Sequence, residues 1–338
     1  MERAETSPIA GLRARGGAID GGSAAVVLLL IGAAIFLLVG CLQSTAFAQY
    51  TVQGLALGSV YGALALALVL IYRATHVINF AQGELAMLTT YIAWWLMEKG
   101  LSYWAAFAAT LVIAFVLGTL LEVTLIRPVQ HSVIAVVIVT VGLFILIDGI
   151  VNWVWGGDFK FMQSPFGNAS FDVGGVAIRH QDVGMVIVVF ASVVLVWALF
   201  RFTKLGLGMR AAALRPAAAA LVGVRVDSML AIGWGLAAVL GAVAGLMAEP
   251  SQIFLSPTLM QPILVYAFAA AVLGGLESPA GALVGGLLIG VSLTLIVGYV
   301  PQKYIGAELQ LPLAFAVLLL ILLVKPSGLF GRREVRRV

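Results

Sequence analysis

Four polar side chains interrupt the apolar runs of this 338-residue chain where a membrane-embedded group could do chemistry. Asn79, Gln82 and Glu84 head one run, and Asp148 lies inside another. Such residues line a water-filled route or hold a coupling proton or cation. Each also has a structural reading. Asn79 can cap a helix, and Glu84 suits the positive end of a helix macrodipole. Asp148 can snorkel outward or pair with Asn152 one turn on. Glu122, near the end of its run, is spaced to pair with Arg127. No catalytic constellation accompanies these groups: there is no HExxH, no GxSxG elbow, no Walker A loop and no carboxylate pair on one helical face. His76, His131 and His180 are too scattered for a metal site, and no metal or cofactor is expected. An intramembrane enzyme would need a nucleophile–base or metal constellation, and none is legible.

A second feature is polar by exposure rather than by chemistry. The segment 203–225 contains Gly206, Arg210, Arg215, Pro216, Ala217–Ala220, Leu221, Gly223 and Arg225. Pro216 fits the first turn of a helix, where its missing N–H costs nothing. Ala217–Ala220 favour a helix, and Gly223 fits the left-handed position after its last turn. The segment reads as a short capped helix lying across a membrane surface. It is either a lever on which a partner docks or a solvated connector held to lipid headgroups by its arginines.

Composition shows what must position these groups. The chain is 62% hydrophobic and 10% charged, with 38 Gly and a mean hydropathy of +1.11. A soluble domain carries about 25% charged residues, so this is a polytopic membrane protein, and its small residues suit close helix packing. A β-barrel would instead alternate strictly in short segments. Ten apolar runs are long enough to propose as spans: 24–47, 52–72, 80–97, 103–126, 133–155, 183–203, 228–248, 259–276, 281–300 and 312–325. The runs 80–97, 259–276 and 312–325 are short enough to be tilted, broken or re-entrant.

With the N-terminus inside and the spans alternating, Lys99, Lys160, Arg179 and Lys303 lie outside. The other fifteen of the nineteen Lys and Arg residues lie inside. The positive-inside rule favours that orientation, and it accounts for a pI near 9.3 better than a nucleic-acid partner does. Both termini are then cytoplasmic, unless the first span is cleaved. Residues 1–23 form a basic tail, 24–48 a first span, 49–326 the transmembrane domain with its inner loop 203–227, and 327–338 a second basic tail. The segment ending Ser44-Thr45-Ala46-Phe47-Ala48 also resembles a signal peptide with an A-x-A site, whose cleavage would leave nine spans. Cys41, the one cysteine, reads as a free thiol. The stretch 156–182 reads as an outer loop rich in Gly, Asn, Ser and Asp. Gly241/Gly245, Gly281/Gly285 and Gly286/Gly290 are small-xxx-small pairs for which helix packing is the default. Gly274-Gly275 followed by Ser278-Pro279 marks a tight inner turn.

Five blocks in one order make the chain resemble the permease subunits of branched-chain amino-acid ABC importers of the LivH type. They are Gly54–Leu64 running on to Ile71-Tyr72 and Val77–Glu84; Arg127-Pro128; Leu205-Gly206, Met209–Ala211 and Ala219–Val224; Ala269–Ala282; and Lys325–Gly331. The resemblance implies an all-α, type II-like importer bundle with several expected partners. These are a second permease subunit, usually non-identical, two cytoplasmic ATPases that alone hydrolyse ATP, a periplasmic binding protein and membrane lipid. Nucleic acid is not among them. It also implies that Gly206, Arg210, Arg215, Pro216, Ala219, Leu221 and Gly223 belong to the segment contacting an ATPase. Asn79, Gln82, Glu84 and Asp148 stand as candidates for the route. The chain departs from the family pattern where it has Gln82 rather than His, Arg73 rather than Gly, and Arg215 where an acidic residue is common. The expected function is import of a branched-chain or related hydrophobic amino acid; relatives also carry urea or short amides. The rival from another class is an ion- or proton-coupled secondary transporter using Asp148 or Glu84.

Overall fold

Lipid offers the backbone no hydrogen-bond partner, so each apolar run must close its bonds within itself, as a helix. The computed structural model describes residues 21–167, 169–251, 254–299 and 328–330, with isolated positions at 312, 315, 316 and 323. It is mostly helical. In chain order the helices are α1 (Gly21–Gln43), α2 (Thr45–Thr75), α3 (Gln82–Glu98), α4 (Tyr103–Leu121), α5 (Val133–Trp155), α6 (His180–Phe202), α7 (Lys204–Leu214), α8 (Pro216–Leu221), α9 (Val226–Ala248), α10 (Met260–Gly274) and α11 (Pro279–Tyr299). Six described helices are long and apolar enough to cross a membrane: α2, α4 with its extension to Val129, α5, α6, α9 and α11. α1 has 23 residues, of which Ile31–Gln43 form its described apolar part, while α10 (Met260–Gly274) and the 17-residue α3 are shorter. The expected tenth span, 312–325, lies mostly outside the described residues, as do the tail 1–20 and most of 327–338.

Helix ends follow local chemistry. Ser44 breaks the chain between α1 and α2, and its hydroxyl accepts from Phe47 N–H at 3.3 Å. Residues 45–47, read from sequence as the end of the first span, therefore open α2. Ser132 caps α5 through Ala135 N–H. Between α10 and α11, Gly275 takes φ +99° and Ser278 accepts from Gly281 N–H at 3.1 Å. The tight turn expected there is present, and Leu329 N–H donates to Leu273 O at its side.

The centre of the bundle is α2, which packs on α11, α9, α10 and α6. Gly54, Gly58 and Gly62 of α2 lie against Gly286 and Gly290 of α11, backbone to backbone. Gly241 and Gly245 of α9 receive Gln82, Ala86 and Thr90 of α3, and Gly285 lies on Ala270 of α10. All three glycine pairs read from sequence are packing seams.

The end of α4 loosens into a π-turn, Glu122–Ile126, before a short 3-10 turn holding Pro128. In an α-helix, residues five apart face about 140° away from each other. The wider turn brings Arg127 over Glu122, with Nη2–Oε2 at 2.8 Å and Nε–Oε1 at 3.4 Å, while Nη2 also donates to Asp227 O. The pairing expected from sequence exists, and it ties α4 to the start of α9. The Glu122 side chain is 2% exposed and that of Arg127 30%. Arg127→Ala is expected to destabilise the fold by about 2–3 kcal/mol, a partly solvated version of the cost of orphaning a buried charge. Arg127→Ala with Glu122→Gln should recover most of that loss. Thermal unfolding of both variants checks this, and a single variant as stable as the parent would contradict it.

The stretch 156–182, read as plain loop, contains a hairpin: β1 (Ser170–Val173) pairs antiparallel with β2 (Val176–Arg179). Gly174 and Gly175, at φ +64° and +86°, make its two-residue turn, and Gly-Gly between alternating residues was the available signal. Gln49 of α2 docks on its edge, exchanging hydrogen bonds of 2.7 and 2.9 Å with the Ala177 backbone.

Candidate coupling surface and buried polar cluster

The surface segment is built from two helices, not one. Thr203 caps α7 by accepting from Gly206 N–H at 3.1 Å. A Cβ at Gly206 would collide with the backbone of Leu199 and Phe200, so α7 sits directly on the end of α6. Residues before proline avoid helical geometry. Arg215 accordingly adopts φ −149°, ψ 81°, and Pro216 opens α8 at its first position. Gly223 takes φ +84°; its N–H bonds Ala220 O and that of Val224 bonds Ala219 O, each at 3.0 Å. This nested pair is the Schellman closure of a helix. The proline start and glycine stop expected from sequence are both in place. The helical character of 204–214 was missed, although Leu205, Met209 and Ala212 carry a helical spacing.

The two helices sort their side chains sharply. Met209, Ala212 and Ala219 are buried against the bundle, where α7 packs on α6 and α9. Leu214, Leu221 and Val222 are 77%, 89% and 79% exposed. Leu214 and Val222, together with Arg215, surround a shallow groove formed by Ala211, Ala218 and Ala219. Exposed leucine and valine at the tip of a rigid pair of short helices, with a guanidinium beside them, suit a protein partner better than water. Arg210 instead turns back, its Nε 3.4 Å from Gly206 O.

The second cluster lies deep in the bundle. Gln82 Nε2 donates at 2.8 Å to Ala237 O, eleven residues into α9. At 1.5 Å per residue this is about 16 Å from the start of that helix. After α2 ends at Thr75, the chain therefore climbs back into the bundle before α3 begins. The short run 80–97 is a half-helix starting at mid-depth. Asn79 is not its cap: its Oδ1 accepts from Ala81 N–H at 3.0 Å, and its Nδ2 donates to Gln82 Oε1 at 3.2 Å. Asn79 and Gln82 are each 1% exposed and have their amides engaged: Gln82 braces α3 to α9, and Asn79 holds the turn before α3 and the Gln82 amide.

Glu84 differs from them. It is 1% exposed, feels the charge of Asp148 of α5, lies near the Gln261 amide of α10, and has no hydrogen bond of good geometry to either carboxylate oxygen. Asp148 is partly buried, and Asn152 donates at 2.8 Å to its backbone carbonyl rather than to its carboxylate. Of the four polar candidates, two are structural braces. The other two are carboxylates that repel one another between α3 and α5, a repulsion that a cation, an ammonium or a proton would relieve.

At the opposite end from the surface segment, Glu249 follows α9 in a 3-10 turn and is 2% exposed. The Met162 N–H bonds it, yet burial dominates and pushes its carboxyl up to about 8. Ser164 and Gln181 hold the same region, with Ser164 Oγ 2.6 Å from Gln181 Oε1 and Gln181 Nε2 3.4 Å from Met247 O. Because the folded-state value is raised, this group stabilises fully below about pH 4.5, and its contribution is lost as pH rises through about 8. Glu249→Gln keeps the shape and the neutral form. The variant is expected to lose the decline in thermal stability between pH 6 and 9 and to exceed the parent by about 2–3 kcal/mol at pH 9. Parallel pH profiles for the two proteins would refute this.

A family model described as "Branched-chain amino acid transport system / permease component" matches residues 50–323. The high-affinity branched-chain amino acid transport system permease protein LivH of Escherichia coli is 30% identical over 307 residues, which cover 86% of this chain and 98% of that one. BraD of Pseudomonas aeruginosa, with the same description, is 29% identical over 310 residues with the same shares. Among solved structures, the match to PsaBC from Streptococcus pneumoniae in complex with Fab covers 87% of this chain and 96% of that one, at 14% identity and a TM-score of 0.46.

Proposed function

The chain belongs to the permease family of branched-chain amino acid transport systems, and from that premise we propose that it is the membrane subunit of an ATP-driven importer. Its cargo is a branched-chain or related hydrophobic amino acid; the names of its relatives state branched-chain amino acid transport for them. The observation that carries the reading is the α7–α8 pair. It is a stiff, capped lever seated on α6 through Gly206, with Leu214, Leu221 and Val222 left exposed at its tip. The sequence has no phosphate-binding loop of its own, so the motor is a separate ATPase that covers this tip.

The remaining partners are a second, non-identical permease, a second ATPase and a periplasmic binding protein. The lever and the C-terminus lie in the cytoplasm; the N-terminus joins them there in a bundle of ten spans, and lies outside in one of nine if residues 1–48 are cleaved. ATP-driven closure of the motors pushes α8, and α7 passes the motion to α6 and α9. The bundle then switches between two packings, which backbone-close glycine seams allow by sliding. Glu84 and Asp148 lie along the route, where paired carboxylates attract the α-ammonium of an amino acid and a mid-depth half-helix leaves room for a passage.

Co-purification tests this. Stable recovery with an ATPase, lost when residues 216–223 become a Gly-Ser linker, supports the importer. Full uptake by the lone chain, driven by an ion gradient and indifferent to ATP, would establish the secondary-transporter rival instead.

A further inference from the structure

A cavity of about 460 Å³ opens at the lever end of the bundle, between the last turns of α2 and α6, the inner side of α7, and the first turns of α9 and α11. Its walls are almost wholly apolar, with Val193, Trp197 and Leu283 among them. Three arginines, Arg73, Arg201 and Arg210, are among its lining residues, and Arg210 also donates through Nε to Gly206 O at 3.4 Å. Among the described residues the ion pairs are Arg127–Glu122 and Arg179–Asp182, so no carboxylate there neutralises any of the three. Arg73 and Arg201 stand in the last turns of α2 and α6, where those helices leave the apolar zone. On the α6 side the cavity is flanked by Phe190, Val194 and Trp197, which are 38%, 54% and 57% exposed. An apolar flank thus leads to an apolar interior beneath a basic edge.

We propose that this cavity is a binding site for an anionic phospholipid, with the phosphate on Arg73, Arg201 and Arg210 and an acyl chain against Val193, Trp197 and Leu283. The volume falls in the range of specific ligand pockets. A small soluble anion would satisfy the arginines but leave the apolar walls wet, and an apolar protein segment would fill the walls but leave three cations unpaired. A phospholipid matches both halves, and guanidinium–phosphate contacts are strong and directional. Basic pockets between membrane helices are suited to such headgroups. Because α7 forms one wall, the lipid sits between the lever and the bundle and stiffens the seat through which the lever acts.

The full-length chain, purified in mild detergent, delipidated and offered phosphatidylglycerol or phosphatidylcholine, tests this by native mass spectrometry. Selective retention of phosphatidylglycerol is expected. It should fall about tenfold or more in Arg73→Gln/Arg201→Gln, which removes two charge-assisted contacts. Ala213→Phe fills the cavity and keeps all the arginines, and it should also displace the lipid. Thermal melting without lipid establishes that both variants remain folded. Equal retention of the two lipids overturns the proposal, as does undiminished retention in both variants. The readout needs no transport, so its failure leaves the importer reading standing, and failure of that reading leaves the lipid site standing.

Discussion

Leu221→Asp combined with Val222→Asp is expected to lower ATP-driven uptake by about 100-fold while leaving the fold unchanged. The two side chains are 89% and 79% exposed, so the isolated chain loses almost nothing when they become polar. A partner that covers them loses two apolar anchors and must bury two unpaired carboxylates, each costly in a desolvated interface. Uptake in vesicles containing the assembled system, ATPase co-purification and thermal unfolding together make the check. Unchanged melting with lost uptake and lost ATPase is the expected pattern. Unchanged uptake would remove the lever from the mechanism. Gly206→Val should give a different signature: the ATPase still docks, because the α8 tip is untouched, but uptake falls because α7 no longer rests on the Leu199–Phe200 backbone.

Gly286→Leu is the second large expected effect, this time on stability. A Cβ there would collide with the Gly62 backbone and lie 2.8 Å from Gly58 O. Both neighbours are backbone atoms of a buried helix, so no side chain can rotate away. Overpacking costs about 1–3 kcal/mol where side chains can adjust, and at least about 3 kcal/mol is expected where two helices must separate. Thermal unfolding in detergent should show a large drop or no folded protein at all. Gly142→Leu is the control: nothing lies within 4 Å of its Cβ position, on a helix whose span is mostly unburied. It should melt with the parent. If the two variants behaved alike, the α2–α11 seam would not be the close contact described.

How far the sequence carries depends on the range of the interactions. The Pro216 start and Gly223 stop of α8 are local, since each depends on one residue's own backbone preference, and both are found where they were expected. The Glu122–Arg127 pair was legible as opposite charges close in sequence. The π-turn that brings them together was not, because it depends on how the end of α4 meets Pro128 and α9. Gln82 shows the limit most clearly. As a polar residue beginning an apolar run it looked like part of a route, and only its bond to Ala237, 155 positions away, identifies it as a brace. Glu84, two residues on, has the same sequence context and no such bond.

From its residues alone the chain settles its helical membrane class, the basic character of one set of loops, and the caps and breaks of individual helices. All of these follow from hydropathy and backbone preference read over a few turns. The folded arrangement decides the depth at which α3 begins, which glycine faces which backbone, and which buried polar groups find partners. It also brings Arg73, Arg201 and Arg210 to one cavity. Those outcomes depend on helices distant in sequence meeting in one register, and a register is a property of two surfaces rather than of either segment.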